Sequence, residues 1–185
     1  LYKELGFDVN KEKDIFDYFN SYNKPFIPVD GWNELLEELV ATNHKIAIAS
    51  NNTEEKIRTY LNEQNLDDYI SVIKTPHTVR SNKSKPEPPV IYYSFAELAD
   101  TYGEPKRRVS VFDQASDLIA TVHAECALGS PIDMFATTWG VGTNFKHVKA
   151  RGEDSSYTRS ADAVMSVKEL RPKLLVDKYR KTIWY

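Results

Sequence analysis

Residues 111–117 read Val-Phe-Asp-Gln-Ala-Ser-Asp, with two carboxylates, Asp113 and Asp117, four positions apart just where an apolar run stops. Two acids so close repel each other unless a cation, a proton or a hydrogen-bond donor lies between them. Their hard oxygens suit Mg²⁺, which keeps several waters and takes one or two protein carboxylates. The plainer reading makes Asp117 the N-cap of the helix that follows the strand. Two other stretches carry polar groups in comparable places. Ser50-Asn51-Asn52 closes the apolar run Lys45-Ile46-Ala47-Ile48-Ala49. A hydroxyl and N–H groups there, at the start of a helix, suit an anion, or equally an ordinary cap. Lys85 stands directly before Pro86 in Ser84-Lys85-Pro86-Glu87-Pro88-Pro89. Proline restricts the backbone of the residue ahead of it and so fixes where that ammonium points. A fixed ammonium beside a phosphoryl group offsets charge as it shifts during transfer. A solvated loop lysine is the alternative, and Lys83 is a neighbour without the proline.

The elements that must position these groups follow from the hydrophobic pattern. Ile15, Phe16, Tyr18 and Phe19 give an apolar helical face ahead of the polar cluster 20–23, and Pro25 to Trp32 reads as a link. Asp30 is placed to cap a helix carrying Trp32, Leu35, Leu36, Leu39 and Val40. The run 45–50 has no polar alternation before Ser50, as in a parallel strand buried on both faces. A helix follows from about Thr53, with Ile57, Tyr60 and Leu61 inward, and then a strand over 69–75. Residues 79–89, with three prolines, must be loop. A helix over 90–103, a strand over 107–113, a helix over 117–129 and a strand over 133–140 come next. The spacing predicts loop over 141–160, a short helix near 167–170 and a charged tail. This alternation implies an α/β fold, a Rossmann-like three-layer core on a parallel sheet. Ligands collect at the carboxyl ends of such strands. Ser50, Lys85 and the acid pair each sit at a strand end or in the loop after one, so they share a rim.

Composition narrows the function. The 185 residues are 41% hydrophobic and 28% charged, with a net charge of −3, so no basic surplus points to nucleic acid or an anionic membrane. No run approaches the roughly 18 apolar residues of a membrane span. The single cysteine, Cys126, excludes an internal disulfide, fits a reducing, cytoplasmic setting, and lies on what reads as the inner side of its helix. His44, His77, His123 and His147 have no metal-ligand spacing, although His77 lies near Lys85 in sequence. Neither a nucleophile elbow nor a Walker loop is present.

The motifs together resemble the haloacid dehalogenase superfamily, in particular its phosphoglycolate-phosphatase-like members. The matching strings are Ile46–Leu61 for the second family motif, Ser84–Pro89 for the third and Val111–Ala124 for the fourth. Residues 136–142 and 160–170 look like the closing strand and final helix. The resemblance covers about 25–170, leaving 1–24 as a helical remnant of a cap and 171–185 as a tail. It implies Mg²⁺, a small phosphorylated substrate and an aspartyl-phosphate formed on an aspartate of the first motif. Ser50 and Asn51 would then hold phosphoryl oxygens, Lys85 would bridge phosphate and nucleophile, and Asp113 with Asp117 would hold the metal.

Three departures accompany it. The first motif, an apolar strand ending Asp-x-Asp, is absent, and the nearest string is Phe7-Asp8-Val9-Asn10-Lys11. Phe112 replaces the usual glycine before the fourth-motif acid, and Pro89 stands where many relatives have an acid. In this fold the missing strand lies between 45–50 and 107–113. Leaving its neighbours unpaired where solvent cannot reach would cost on the order of 1–3 kcal/mol per buried group. Residues ahead of Leu1, or another chain, are therefore expected to supply it. A catalytically degenerate relative acting as a binding module is the rival expectation.

Overall fold

A computed structural model of the chain describes residues 29–81, 83–138, 149–151 and 158–175. The expected cap remnant, Asp8, Trp139, His147 and most of the tail lie outside them. Helix α1 (Trp32–Ala41) leads into strand β1 (Ala47–Ala49), helix α2 (Glu54–Glu63), a 3₁₀ turn (Asp67–Tyr69) and strand β2 (Val72–Lys74). Helix α3 (Pro89–Tyr102), strand β3 (Val109–Phe112), helix α4 (Ala115–Leu128) and strand β4 (Asp133–Thr137) follow. The chain continues through short strands β5 (Lys149–Arg151), β6 (Thr158–Ser160) and β7 (Asp162–Val164) to helix α5 (Val167–Leu175). The α/β alternation matches the pattern in the sequence. The stretch 141–160 is not all loop, since β5 and β6 pair there antiparallel, and β7 adds to β4 in parallel. Such three-residue strands are too short to show a period.

Local chemistry explains most boundaries. Thr53 accepts the Lys56 N–H at 3.4 Å and so caps α2. Pro89 opens α3, where its missing N–H costs nothing, and Gly103 closes it at φ 86. Asp30 is not the cap of α1; Gly31 holds that place in the left-handed region with no side-chain bond. Cys126 is exposed instead of buried. The phase of α4 turns Leu118, Thr121, Val122 and Glu125 inward, and the Glu125 carboxylate accepts the Ile132 N–H at 3.0 Å. A buried acid with an amide to bind displaces the cysteine from the core side.

The core has the three expected layers. On one face Leu35 and Leu39 of α1 meet Phe135, Val164, Val167 and Leu170, while Leu36 meets Ile57 and Leu61 of α2. On the other face Leu118 and Val122 of α4 cover Phe112, Met134 and Ala136, and Ile91 of α3 packs on Ala120 and Ala124. The side chains of each strand divide between these faces by the twofold alternation of a strand.

Between the layers the sheet is split. Among the described residues β1 pairs only with β2, and β3 only with β4, which in turn pairs with β7; all these pairs are parallel. Backbone direction shows what lies between the halves. Val72 N–H reaches Ile46 C=O and Ser50 N–H reaches Lys74 C=O, so residues 46, 48 and 50 face β2. Ala47 and Ala49 therefore face away from it. Likewise Asp133 N–H reaches Arg108 C=O, which turns Ser110 and Phe112 toward β4 and Val109 and Val111 away. Among the described residues no strand pairs with either of these outward edges. Both halves lie beneath the same helices: Trp32 and Ile46 belong to clusters on both sides of the division, and α3 packs on α4. All three residues of β1 and the first three of β3 are half-buried, whereas four of the five in β4 are buried. Among the described residues a slot therefore separates β1 from β3, with helices above and below it.

Residue-resolved hydrogen exchange tests this arrangement. The Val109 and Val111 amides are expected to exchange at least about tenfold faster than those of Ser110 and Phe112, equivalent to ~1.4 kcal/mol of protection. Equal protection would place a partner on the open edge.

Candidate active site

The carboxyl ends of β1 and β3 and the N-termini of the helices after them gather the polar groups singled out in the sequence. Ser50 directly follows β1. Its N–H makes the last bond to β2, and its Oγ accepts the Asn52 N–H at 3.1 Å. A hydroxyl whose oxygen is engaged this way keeps its proton to donate, which suits an acceptor such as a phosphoryl oxygen. Lys85 enters from the loop ahead of α3. Asn51 holds its backbone on both sides: Lys85 N–H donates to Asn51 Oδ1 at 2.9 Å, and Asn51 Nδ2 donates to Lys85 C=O at 3.5 Å. The Asn51 carboxamide is thus turned to the lysine peptide. The following prolines stiffen the other flank, and α3 starts at Pro89.

From that anchor the Lys85 ammonium donates to Ala49 C=O at 3.1 Å and forms an ion pair with Asp117. Both partners are largely buried, at 13% and 8% side-chain exposure. Ala49 faces the slot, so the ammonium lies across the slot's mouth, from the rim of β1 to the first turn of α4. Lys83, the neighbouring candidate, pairs with Glu87 at 3.7 Å with both side chains more than half exposed. That geometry confines it to the surface.

Asp117 is not the helix cap. Gln114 takes that position, α4 begins at Ala115, and the Asp117 side chain points inward from the first turn. The partial positive charge of a helix N-terminus favours an anion there. Asp113, half-buried, follows β3 directly. Phe112 does not project into the rim, because its ring lies in the core beneath α4. Thr137 Oγ1 donates to Phe112 C=O at 3.2 Å, which ties the end of β4 to the end of β3 beside Asp113. Sequence reasoning missed this contact, as a threonine ending a strand carries no distinctive signal. His77 is exposed, and His44 Nδ1 lies 3.2 Å from Leu39 C=O at the end of α1, a helix-terminal contact.

The rim suits a hard divalent cation. Asp117 Oδ1 is buried and receives no well-directed hydrogen bond among the described residues, being held by charge alone. With Asp113 it offers two carboxylates, the number Mg²⁺ takes from a protein while keeping waters. Among the described residues no group of three His, Cys, Asp or Glu side chains gathers, so a closed zinc-type cage has no counterpart here.

Removing one member of a buried ion pair leaves the other uncompensated. Lys85→Met is therefore expected to destabilise the fold by about 3–5 kcal/mol in urea unfolding. Lys85→Met with Asp117→Asn should recover much of that loss. A single variant within ~1 kcal/mol of the parent would show that the pair contributes nothing.

The fold recurs in solved structures. The protein tyrosine kinase PtkA of Mycobacterium tuberculosis superposes with a TM-score of 0.64 at 22% identity, covering 94% of this chain and 74% of that one. A phosphatase of Thermococcus onnurineus from the same superfamily gives 0.54 at 22% identity, covering 94% and 68%. The protein YfnB of Bacillus subtilis, solved with magnesium bound, gives 0.56 at 12% identity, covering 80% and 55%. No curated protein matches the chain. No helix among the described residues is long and apolar enough to cross a membrane. The profile of the haloacid dehalogenase-like hydrolases matches residues 1–128, more than half of the sequence, and the chain belongs to that family.

Proposed function

We propose that this chain is the core of a Mg²⁺-dependent phosphatase for small phosphorylated metabolites, with its nucleophilic aspartate on a strand that occupies the slot between β1 and β3. The observation that carries this reading is the Lys85 ammonium across the slot's mouth, anchored by Asn51, with Ser50 on one side and Asp113 and Asp117 on the other. Mg²⁺, when bound by Asp113 and Asp117, supplies positive charge that screens the phosphoryl group from an anionic nucleophile. Lys85 neutralises the same charge from the β1 side, and the Ser50 hydroxyl donates to a phosphoryl oxygen. The strand carboxylate attacks phosphorus, the ester P–O bond breaks, and the leaving alkoxide takes a proton from a neighbouring acid. Water then attacks the aspartyl-phosphate, releasing inorganic phosphate and restoring the carboxylate. Family membership and the YfnB structure with magnesium support this reading. The net charge of −3 favours a small diffusible substrate over nucleic acid or an anionic membrane surface.

In a polypeptide that also carries the strand aspartate, Mg²⁺-dependent phosphate release from an aryl phosphate should fall at least about 10²-fold in Asp113→Ala. Activity that survives both chelation and this substitution defeats the assignment. Normal binding without turnover would instead favour the degenerate binding module.

A further inference from the structure

The inward face of α4 carries three polar side chains one turn apart, Asp117, Thr121 and Glu125, and each is buried, at 6%, 0% and 3% exposure. Buried polar groups need bonding partners. Asp117 meets Lys85, and Glu125 takes the Ile132 N–H. Thr121 makes two contacts that the phosphatase reading leaves unused. Its Oγ1 lies 2.7 Å from Asp117 C=O and 3.2 Å from Ser110 Oγ of β3. A carbonyl only accepts, so the Thr121 proton goes to Asp117, and the Ser110 hydroxyl must then donate to Thr121. A directed chain therefore runs from β3, through α4, to the peptide of the residue that faces Lys85.

We propose that Ser110 and Thr121 are positioning residues: their hydroxyl pair sets the height and rotation of α4 on β3, and with it the placement of Asp117 against Asp113 and Lys85. Leu118 and Val122 of α4 lie against Phe112, Met134 and Ala136 in the same interface. Apolar contacts of that kind hold a helix down without fixing where along the strand it stops. A slip of one residue moves a helix about 1.5 Å along its axis. Mg²⁺ demands near-octahedral oxygens at about 2.1 Å, so such a slip would spoil a shared site. Asp113 follows β3 and Asp117 rides on α4, so their spacing is only as well defined as the register between those two elements. A hydroxyl bonded to the carbonyl one turn back is in itself an ordinary arrangement for a helix threonine or serine. Thr59 and Ser94 show it here, to Glu55 C=O at 2.9 Å and Val90 C=O at 2.8 Å. What sets Thr121 apart is the donor from another element. The inference rests on the Mg²⁺ reading for what the spacing of the acids serves, but the placement of Asp117 stands without it.

Two readouts on the 185-residue chain test this. In the metal-free protein the buried, bonded Lys85 ammonium should give a slowly exchanging Nζ–Hζ NMR signal, assigned by its loss in Lys85→Arg. With MnCl₂ added, the electron paramagnetic resonance of free Mn²⁺ gives the cation affinity. Thr121→Val keeps the side chain's shape without its hydroxyl. It should weaken Mn²⁺ about tenfold, as loss of an outer-shell partner does, and shift or erase the ammonium signal. Ser110→Ala should act in the same direction, and Thr121→Ser should restore both readouts. Ser94→Ala removes another buried hydroxyl, bonded only within α3 among the described residues, and should change neither. A folded Thr121→Val with the parental signal and affinity overturns the proposal, as does a loss that Thr121→Ser fails to restore. Should Thr121→Val not fold, Ser110→Ala decides, and parental values in both readouts overturn the proposal. A parent chain that binds no Mn²⁺ defeats the Mg²⁺ reading and leaves the ammonium signal to decide the placement of Asp117; a parent without that signal defeats the placement too.

Discussion

The ion pair between Lys85 and Asp117 ties the rim beside β1 to the first turn of α4, across two parts of the sheet that share no ladder among the described residues. Among the described residues β1 and β3 make no ladder with each other, and no described strand bridges them. The helices above and below fix them through apolar contacts, which are strong but not directional. At the rim the ammonium adds direction, reaching from a β1 carbonyl to an acid in the first turn of α4. Its own position is fixed by the Asn51 carboxamide and by the prolines that launch α3. The Asn51 carboxamide therefore sets where the ammonium sits between the rim of β1 and the first turn of α4.

Buried, unsatisfied peptide groups on both edges would together rival the whole stability of a domain, on the order of 5–15 kcal/mol. Among the described residues β1 and most of β3 are half-buried, while β4, between two partners, is buried. Facing parallel edges with apolar covers offer both the hydrogen bonds and the burial that a strand needs.

Much of this was legible in the sequence because it depends on local chemistry. The apolar runs ending at Ser50 and Asp113, the proline after Lys85 and the helix start near Thr53 each have a short-range cause. The features that escaped depend on phase and partners. Cys126 and Glu125 are adjacent, and only the amide of Ile132 decides which faces inward. Asp117 reads equally as a cap or as an inward acid until Lys85 is seen to reach it. β5, β6 and β7 are too short for periodicity, and α5 runs to Leu175, past the expected end, because Leu174 and Leu175 still touch the core. The slot was visible only as a strand missing from a resemblance; the direction of the peptide groups gives it physical edges.

The central claim is that Ser50, Lys85, Asp113 and Asp117 share one rim that accepts a divalent ion. Paramagnetic broadening by Mn²⁺, followed residue by residue in the NMR spectrum, addresses it most directly. The account predicts early loss of the Asp113, Asp117 and Ser50 amide signals, while Arg108 and Ser130, at the other end of the strands, stay sharp. Broadening that spares Asp113 and Asp117 and appears at acids elsewhere would contradict it.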